Sequence, residues 1–482
     1  MTGPAVDSHS TITIDAFTGA EPVRGHFAAN YRQWALAKPY YGRATMRPDP
    51  PDPRNWRDDR VGWGIVLPER PGMSPAELAG VGDAAPAIQE LVSVRGGKVL
   101  RYRAGVGLAD WTLRNYAQGD EFFTPAAAVG MGPQELPKYL LINATPSEVP
   151  WYVQFTLNPV RYVGRLDLTG LHLDNYVQAL LTDWTGAGTA YSAPVVWAVE
   201  HSGNDITALM RDTVAAPVYA AFRSDDEMTA ATFLDGRTTP ATVDTLCTAL
   251  ETNRPALVVT SSHGMTGPLS DLGAMRANLG LPVGQSNELL APDTLMAKWQ
   301  PDGAIWFAQA CCSAGSDSPT SYAGLFEAGS TLDTTLTAIA RAGAGTAPLP
   351  RALLGAAKPA RAFIGHVEPT FNWTLEFPDN RQVLTADLTT AIYEGLAGGD
   401  PVGMALSDYY RAIAALLQNY EKARRDYNAT VGDAAKGPLD SLVYCRVTAH
   451  DRASTVILGD PTAAIVLPNN NATNTNARSV ES

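Results

Sequence analysis

The sequence predicts an α/β fold built on a mostly parallel sheet sandwiched by helices. Three observations carry this expectation. Short apolar runs without strict polar alternation recur at Pro194–Val199, Ala256–Thr260 and Ala304–Ala308, a pattern that suits strands buried on both faces. Segments of helical length lie between and beyond them, at Asp205–Val214, Thr242–Glu251 and Val402–Tyr427; such alternation marks parallel strands joined by crossover helices. With 42 glycines and 35 prolines in 482 residues, the chain is also rich in turn formers for a helical bundle.

In chain order, residues 1–60 are polar and punctuated by proline, densest at Pro48-Asp49-Pro50-Pro51-Asp52-Pro53. That hexapeptide is expected to be extended and non-helical, closing an N-terminal arm. Residues 61–190 form a smaller, preceding α/β subdomain, with strands at Val61–Leu67, Val99–Tyr102 and Tyr139–Ile142, the last followed by the turn Asn143-Ala144-Thr145-Pro146. Residues 191–467 form the larger unit. Its first strand, Pro194–Val199, leads into a helix with Asn204 or Asp205 near the N-cap. Further strands follow at Ala362–Ile364 and Val456–Leu458, the latter closed by Gly459-Asp460-Pro461. Cys247 is expected in a helix core, and Leu442–Val447 around Cys445 reads as a strand. Residues 468–482 lack core formers and are expected to be a disordered tail.

Charge and cysteine usage narrow the function. Acidic residues outnumber basic ones, 49 to 36, for a net charge of −13, which disfavours nucleic acid and anionic membrane as partners. The four cysteines are too few for a disulfide scaffold. No apolar stretch of about 18 residues and no secretory signal is visible, so a cytoplasmic protein with reduced thiols is expected. No phosphate loop, dinucleotide fingerprint or metal-ligand spacing appears; neither a cofactor nor a metal is expected.

In open α/β sheets ligands bind beyond the carboxyl ends of the strands. Two such ends carry chemistry: Ala256–Thr260 runs into Ser261-Ser262-His263-Gly264, and Ala304–Ala308 into Gln309-Ala310-Cys311-Cys312. If the strands are neighbours, His263 faces a thiol across the top of the sheet, and histidine is the usual activator of a cysteine nucleophile. The Gly264 N–H, unobstructed by a side chain, and the nucleophile's own N–H are candidate oxyanion donors. Adjacent residues point to opposite faces, so only one of Cys311 and Cys312 is expected to meet His263.

These motifs, Val258–Gly264 and Trp306–Cys311, resemble those of the caspase, gingipain and legumain clan of cysteine peptidases, closest to its gingipain-like and CHAT-type bacterial branch. Cys311 follows His263 by 48 positions within Gln309-Ala310-Cys311, similar to the caspase signature, whose histidine lies about 50 residues upstream. Softer likeness at Tyr139–Ile142, Tyr162–Leu166, Ile364–Val367 and Leu458–Pro461 extends the resemblance over residues 137–467. It implies a caspase-like catalytic domain and cysteine endopeptidase activity on protein or peptide substrates through a thioester. The Gln-Ala-Cys pattern selects Cys311; Cys-x-x-Gly, ending at Gly315, selects Cys312 as the alternative nucleophile. The loop Glu200–Asp205 resembles the one that recognises the P1 residue in caspases, with His201 where they place arginine; Glu200, Asp205 or Asp317 in the pocket would favour basic residues instead. Capping of the next helix is an equally good role for Asp205. The segment Met265–Pro301 is a candidate flap or self-cleavage site. Two other readings stand beside the peptidase: another cysteine amidohydrolase, and a non-catalytic caspase-like module that works by binding.

Overall fold

A computed structural model describes residues 50–105, 112–119, 121–201 and 205–468, together with two strand segments, 11–17 and 22–26. The chain divides into two compact units, Met1–Pro50 and Pro51–Ser482. In the first, Thr11–Phe17 and Pro22–His26 pair antiparallel. The expected boundary at residue 60 therefore falls ten residues late: residues 51–60 belong to the larger unit, where the Tyr139 hydroxyl donates to the Pro53 carbonyl at 2.8 Å. Pro50–Pro53 is non-helical as expected, whereas Pro48, Asp49 and the tail from residue 469 lie outside the described residues.

The larger unit is mixed α/β around one 12-stranded sheet. Its strands, numbered in chain order, are β1 Trp63–Pro68, β2 Lys98–Tyr102, β3 Leu113–Asn115, β4 Glu121–Phe123, β5 Tyr139–Ile142, β6 Tyr162–Arg165, β7 Val195–Ala198, β8 Thr232–Leu234, β9 Leu257–Ser261, β10 Ile305–Gln309, β11 Ala362–His366 and β12 Thr455–Gly459. Across the sheet they run β8-β7-β9-β10-β11-β12-β6-β5-β1-β2-β3-β4. Neighbours from β8 to β11 are parallel, as are those from β12 to β2; polarity reverses between β11 and β12, and again at β3 and β4 on the far edge. The expected subdomains 61–190 and 191–467 thus share a single sheet, because β6 pairs with β12. Gly164 makes that junction possible, since a Cβ there would lie 2.1 Å from the Gly459 carbonyl.

Burial explains the unalternating apolar runs. Trp63, Ile65, Tyr139 and Leu141 pack on one face against Leu91 and Tyr176, while Val66, Leu140, Ile142 and Val163 pack on the other against Val153 and Leu157. With both faces covered, every strand position seeks an apolar side chain. Two local expectations are corrected. Cys445 lies in a helix, Lys436–Ala453, that pairs with Ser407–Ala429; burial against the partner helix overrides the strand propensity of Leu442–Val447. The helix expected over Val402–Tyr427 is interrupted at Leu406, giving Val402–Ala405 and Ser407–Ala429. Among the described residues, no helix is long and apolar enough to cross a membrane.

Candidate functional site

Strand order places a topological switch point at β7. The chain runs from β7 to β8 on one side and then crosses to β9 on the other, and such a switch point opens a cleft at the carboxyl edge. Three loops gather there, after β7, β9 and β10. The registers Ala198↔Ser261 and Ser261↔Gln309 set them side by side. His263 and Cys311 each stand two residues beyond their last paired position, so the two motifs are neighbours as expected. Contact between them is backbone to backbone: a Cβ at Gly264 would come 1.9 Å from the Cys311 carbonyl oxygen. Only glycine fits there.

His263 is oriented from the β7 loop. Its Nε2 lies 3.0 Å from Asp205 Oδ2, which leaves Nδ1 as the ring nitrogen without a hydrogen bond among the described residues. The carboxylate is itself fixed, because Asp205 Oδ1 accepts from the Thr207 N–H at 2.8 Å and the Thr207 hydroxyl at 2.6 Å, capping the helix Ile206–Met210. Burial pushes the Asp205 carboxyl upward, but the Thr207 bonds and His263 outweigh it and hold the group below the usual carboxylate range. Asp205, expected as a helix cap or a substrate-recognition residue, therefore caps and engages His263 at once. His201 stacks on the His263 ring, with centroids 5.5 Å apart and planes 15° apart, and among the described residues its buried Nε2 has no partner. Ser202, Gly203 and Asn204 lie outside the described residues.

The two cysteines separate, although both lie in the turn beyond β10 rather than on the strand. Cys312 is fully buried with φ +54°, and its side chain packs with Leu279 and Ile339. It is part of the core, and burial raises its thiol well above the usual range, which disfavours it as the nucleophile. Cys311 is half-buried. Its Sγ donates to the Thr370 carbonyl at a long 3.9 Å, and burial pushes the thiol up to about 11, the nearby Asp451 charge adding to the effect. Among the described residues, neither the Gly264 nor the Cys311 N–H donates to a backbone carbonyl, whereas the following Met265 and Cys312 N–H groups donate to Leu281 and Glu368 at 2.9 Å.

Other expected site residues are placed elsewhere. Glu200 is ion-paired with Arg237 and, at 3.7 Å, with Arg211, so it is not a free pocket carboxylate. Asp317 lies among Glu368, His450 and Arg165, and burial raises its carboxyl. The segment after Met265 carries two helices, Leu272–Asn278 and Pro292–Lys298, and buries Met275, Leu281, Leu290 and Leu295, so it packs as part of the fold rather than as an open flap. Trp299 is likewise buried, with its ring 6.0 Å from Trp306.

A polar cluster underlies the thiol. Because β12 runs antiparallel to β11, with His366 opposite Thr455, the end of helix Lys436–Ala453 arrives at this same edge. Asp451, fully buried, accepts the hydroxyls of Thr370 at 3.2 Å and Thr374 at 2.6 Å. His366 Nδ1 lies 3.9 Å from Asp451 Oδ1, and His450 Nε2 lies 3.2 Å from Glu368 Oε2. The available signal was that acidic and histidine side chains in His450-Asp451 and His366-Val367-Glu368 flank two strands; it does not say that those strands run against each other. No protein-family model, no curated protein and no solved structure matches this chain.

Proposed function

We propose that the chain is a cysteine hydrolase that cleaves peptide bonds, with Cys311 as nucleophile and His263 as its acid–base partner. The observation that carries this reading is the direct backbone apposition of Gly264 and Cys311 at the carboxyl edge, with His263 oriented by Asp205. A polypeptide carbonyl seated over Cys311 would displace the weak thiol contact to Thr370. The S–H proton passes to His263 Nδ1 as sulfur bonds to the carbonyl carbon. The Gly264 and Cys311 N–H groups are the donors open to the resulting oxyanion. His263 then returns the proton to the departing amine as the C–N bond breaks, leaving a thioester. Water adds to the thioester, giving up a proton to His263, and the acid and the thiol are regenerated.

Asp205 contributes by holding the imidazole in one orientation and stabilising its protonated form. The raised thiol means that the resting nucleophile is S–H, so a base is required at neutral pH. That same feature favours one alternative, a non-catalytic module in which the buried thiol is structural. Peptide-library profiling of Cys311→Ala and Cys312→Ala separates the two. Turnover lost in Cys311→Ala and retained in folded Cys312→Ala fits the proposal; no turnover by the parent chain and no labelling of Cys311 by a thiol-directed electrophile fits the module.

A further inference from the structure

The loop that follows β11 carries Thr370, whose carbonyl meets the Cys311 thiol. Three residues further on, it becomes one wall of a cleft of about 860 Å³, the opposite wall being the paired helices Ser407–Ala429 and Lys436–Ala453. This volume lies within the range of ligand-binding clefts and exceeds one side chain. Its lining includes aromatic rings, carboxylates and the Lys422 ammonium. Trp373, Phe377 and Tyr444 form a contiguous aromatic surface, Tyr444 lying 6.1 Å from Trp373 and 5.0 Å from Phe377, centroid to centroid. Around it stand three carboxylates. Asp426 is neutralised by Lys422 at 2.6 Å, but Asp379 and Asp440 are exposed and, among the described residues, have no cation within ion-pair distance.

Aromatic faces with unpaired carboxylates beside them select one ligand chemistry. Ring faces attract cations through their quadrupole, and the carboxylates supply the counter-charge. An anionic ligand would meet uncompensated repulsion, and a neutral one would leave the two charges unused. We infer that this cleft binds a lysine- or arginine-bearing segment of a polypeptide, its cationic side chain laid against Trp373 and Tyr444 and paired with Asp379 and Asp440. The site touches neither His263 nor Cys311, so it stands or falls separately from the proposed catalysis.

The test uses the full chain carrying Cys311→Ala, so that no cleavage complicates binding. A fluorescently labelled peptide of alternating arginine and glycine is titrated by anisotropy, beside a glutamate–glycine peptide and a neutral oligosaccharide. Saturable binding of the basic peptide alone is expected, weakened severalfold by 0.5 M salt. Asp379→Asn/Asp440→Asn should weaken it at least tenfold, and Trp373→Leu likewise. Asp226→Asn/Glu227→Gln, which removes the same charge from exposed positions elsewhere, should change it less than twofold. Equal losses in both charge pairs would mean diffuse attraction to an acidic surface and overturn the assignment. So would comparable binding of the acidic peptide or the oligosaccharide. If Trp373→Leu fails to fold, the surface pair Asp379→Asn/Asp440→Asn decides alone.

Discussion

Asp205 does two jobs, and two substitutions separate them. Asp205→Asn keeps a side-chain oxygen able to cap helix Ile206–Met210, since asparagine caps about as well as aspartate. It exchanges the charged contact with His263 Nε2 for a neutral one. Asp205→Ala removes the two bonds from Thr207 and the contact at 3.0 Å to His263. Loss of a cap costs about 1 kcal/mol, and loss of one further partly exposed hydrogen bond about 1 kcal/mol more. The alanine variant should therefore be about 2 kcal/mol less stable than the parent in urea unfolding at pH 7, and the asparagine variant less than about 1 kcal/mol. The pH dependence has a definite sign. The folded-state pKa of Asp205 lies below its usual 3.8, so its contribution is complete above that value and fades as pH falls through the lower folded value. The gap between parent and Asp205→Ala should accordingly narrow on acidification. For chemistry the order changes: both variants should label or turn over at Cys311 at least tenfold more slowly, because both lose the charge that orients and supports the imidazolium. An alanine variant as stable as the parent, or an asparagine variant of full reactivity, would refute this account.

Three further outcomes follow from the geometry. Gly264→Ala would place a methyl 1.9 Å from the Cys311 carbonyl oxygen; the overpacking should cost about 1–3 kcal/mol in chemical unfolding and sharply reduce electrophile labelling of Cys311, and a variant indistinguishable from the parent in both would contradict the apposition. Because burial pushes the Cys311 thiol up to about 11, its alkylation by iodoacetamide, read by peptide mass spectrometry in the ligand-free protein, should keep accelerating above pH 9; a plateau near pH 7 would show a thiolate already formed at rest. Asp460→Ala removes the partner of the Trp63 indole N–H and of the buried Arg95 guanidinium, both at 3.1 Å. Stranding that charge should cost about 3–5 kcal/mol, and a loss below about 1 kcal/mol would show that the network is not structural.

Where burial is symmetrical the sequence is transparent. Tyr139–Ile142, Ala256–Thr260 and Ala304–Ala308 announce strands because each position is pressed on from one helical layer or the other. His263 and Cys311 were legible because both follow such runs directly. What could not be read is what depends on pairing between distant segments. Asp205 meets His263 only because β7 and β9 are neighbours, and Asp451 lies under Thr370 only because β12 runs against β11. The strand-like stretch around Cys445 misled for a similar reason: its fate was set by a partner helix that local propensity does not see. Cys312 joined the core through a backbone turn at positive φ, which the letters Cys-Cys do not encode.

The reversal of strand polarity at β11–β12 divides the parallel strands of the larger unit into two oppositely directed groups. The loops after β7, β9, β10 and β11 open on one rim, and those after β1, β5 and β6 open on the opposite one, around a second crevice of about 530 Å³ lined by Leu67, Asn143 and Asp167. Loops on that second rim are remote in the sheet from the Gly264–Cys311 apposition, so lengthening or replacing them alters the protein's face toward other molecules at a distance from it. The chain can thus be re-engineered at one end while the chemistry at the other is left alone, the sheet between them acting as a stiff divider.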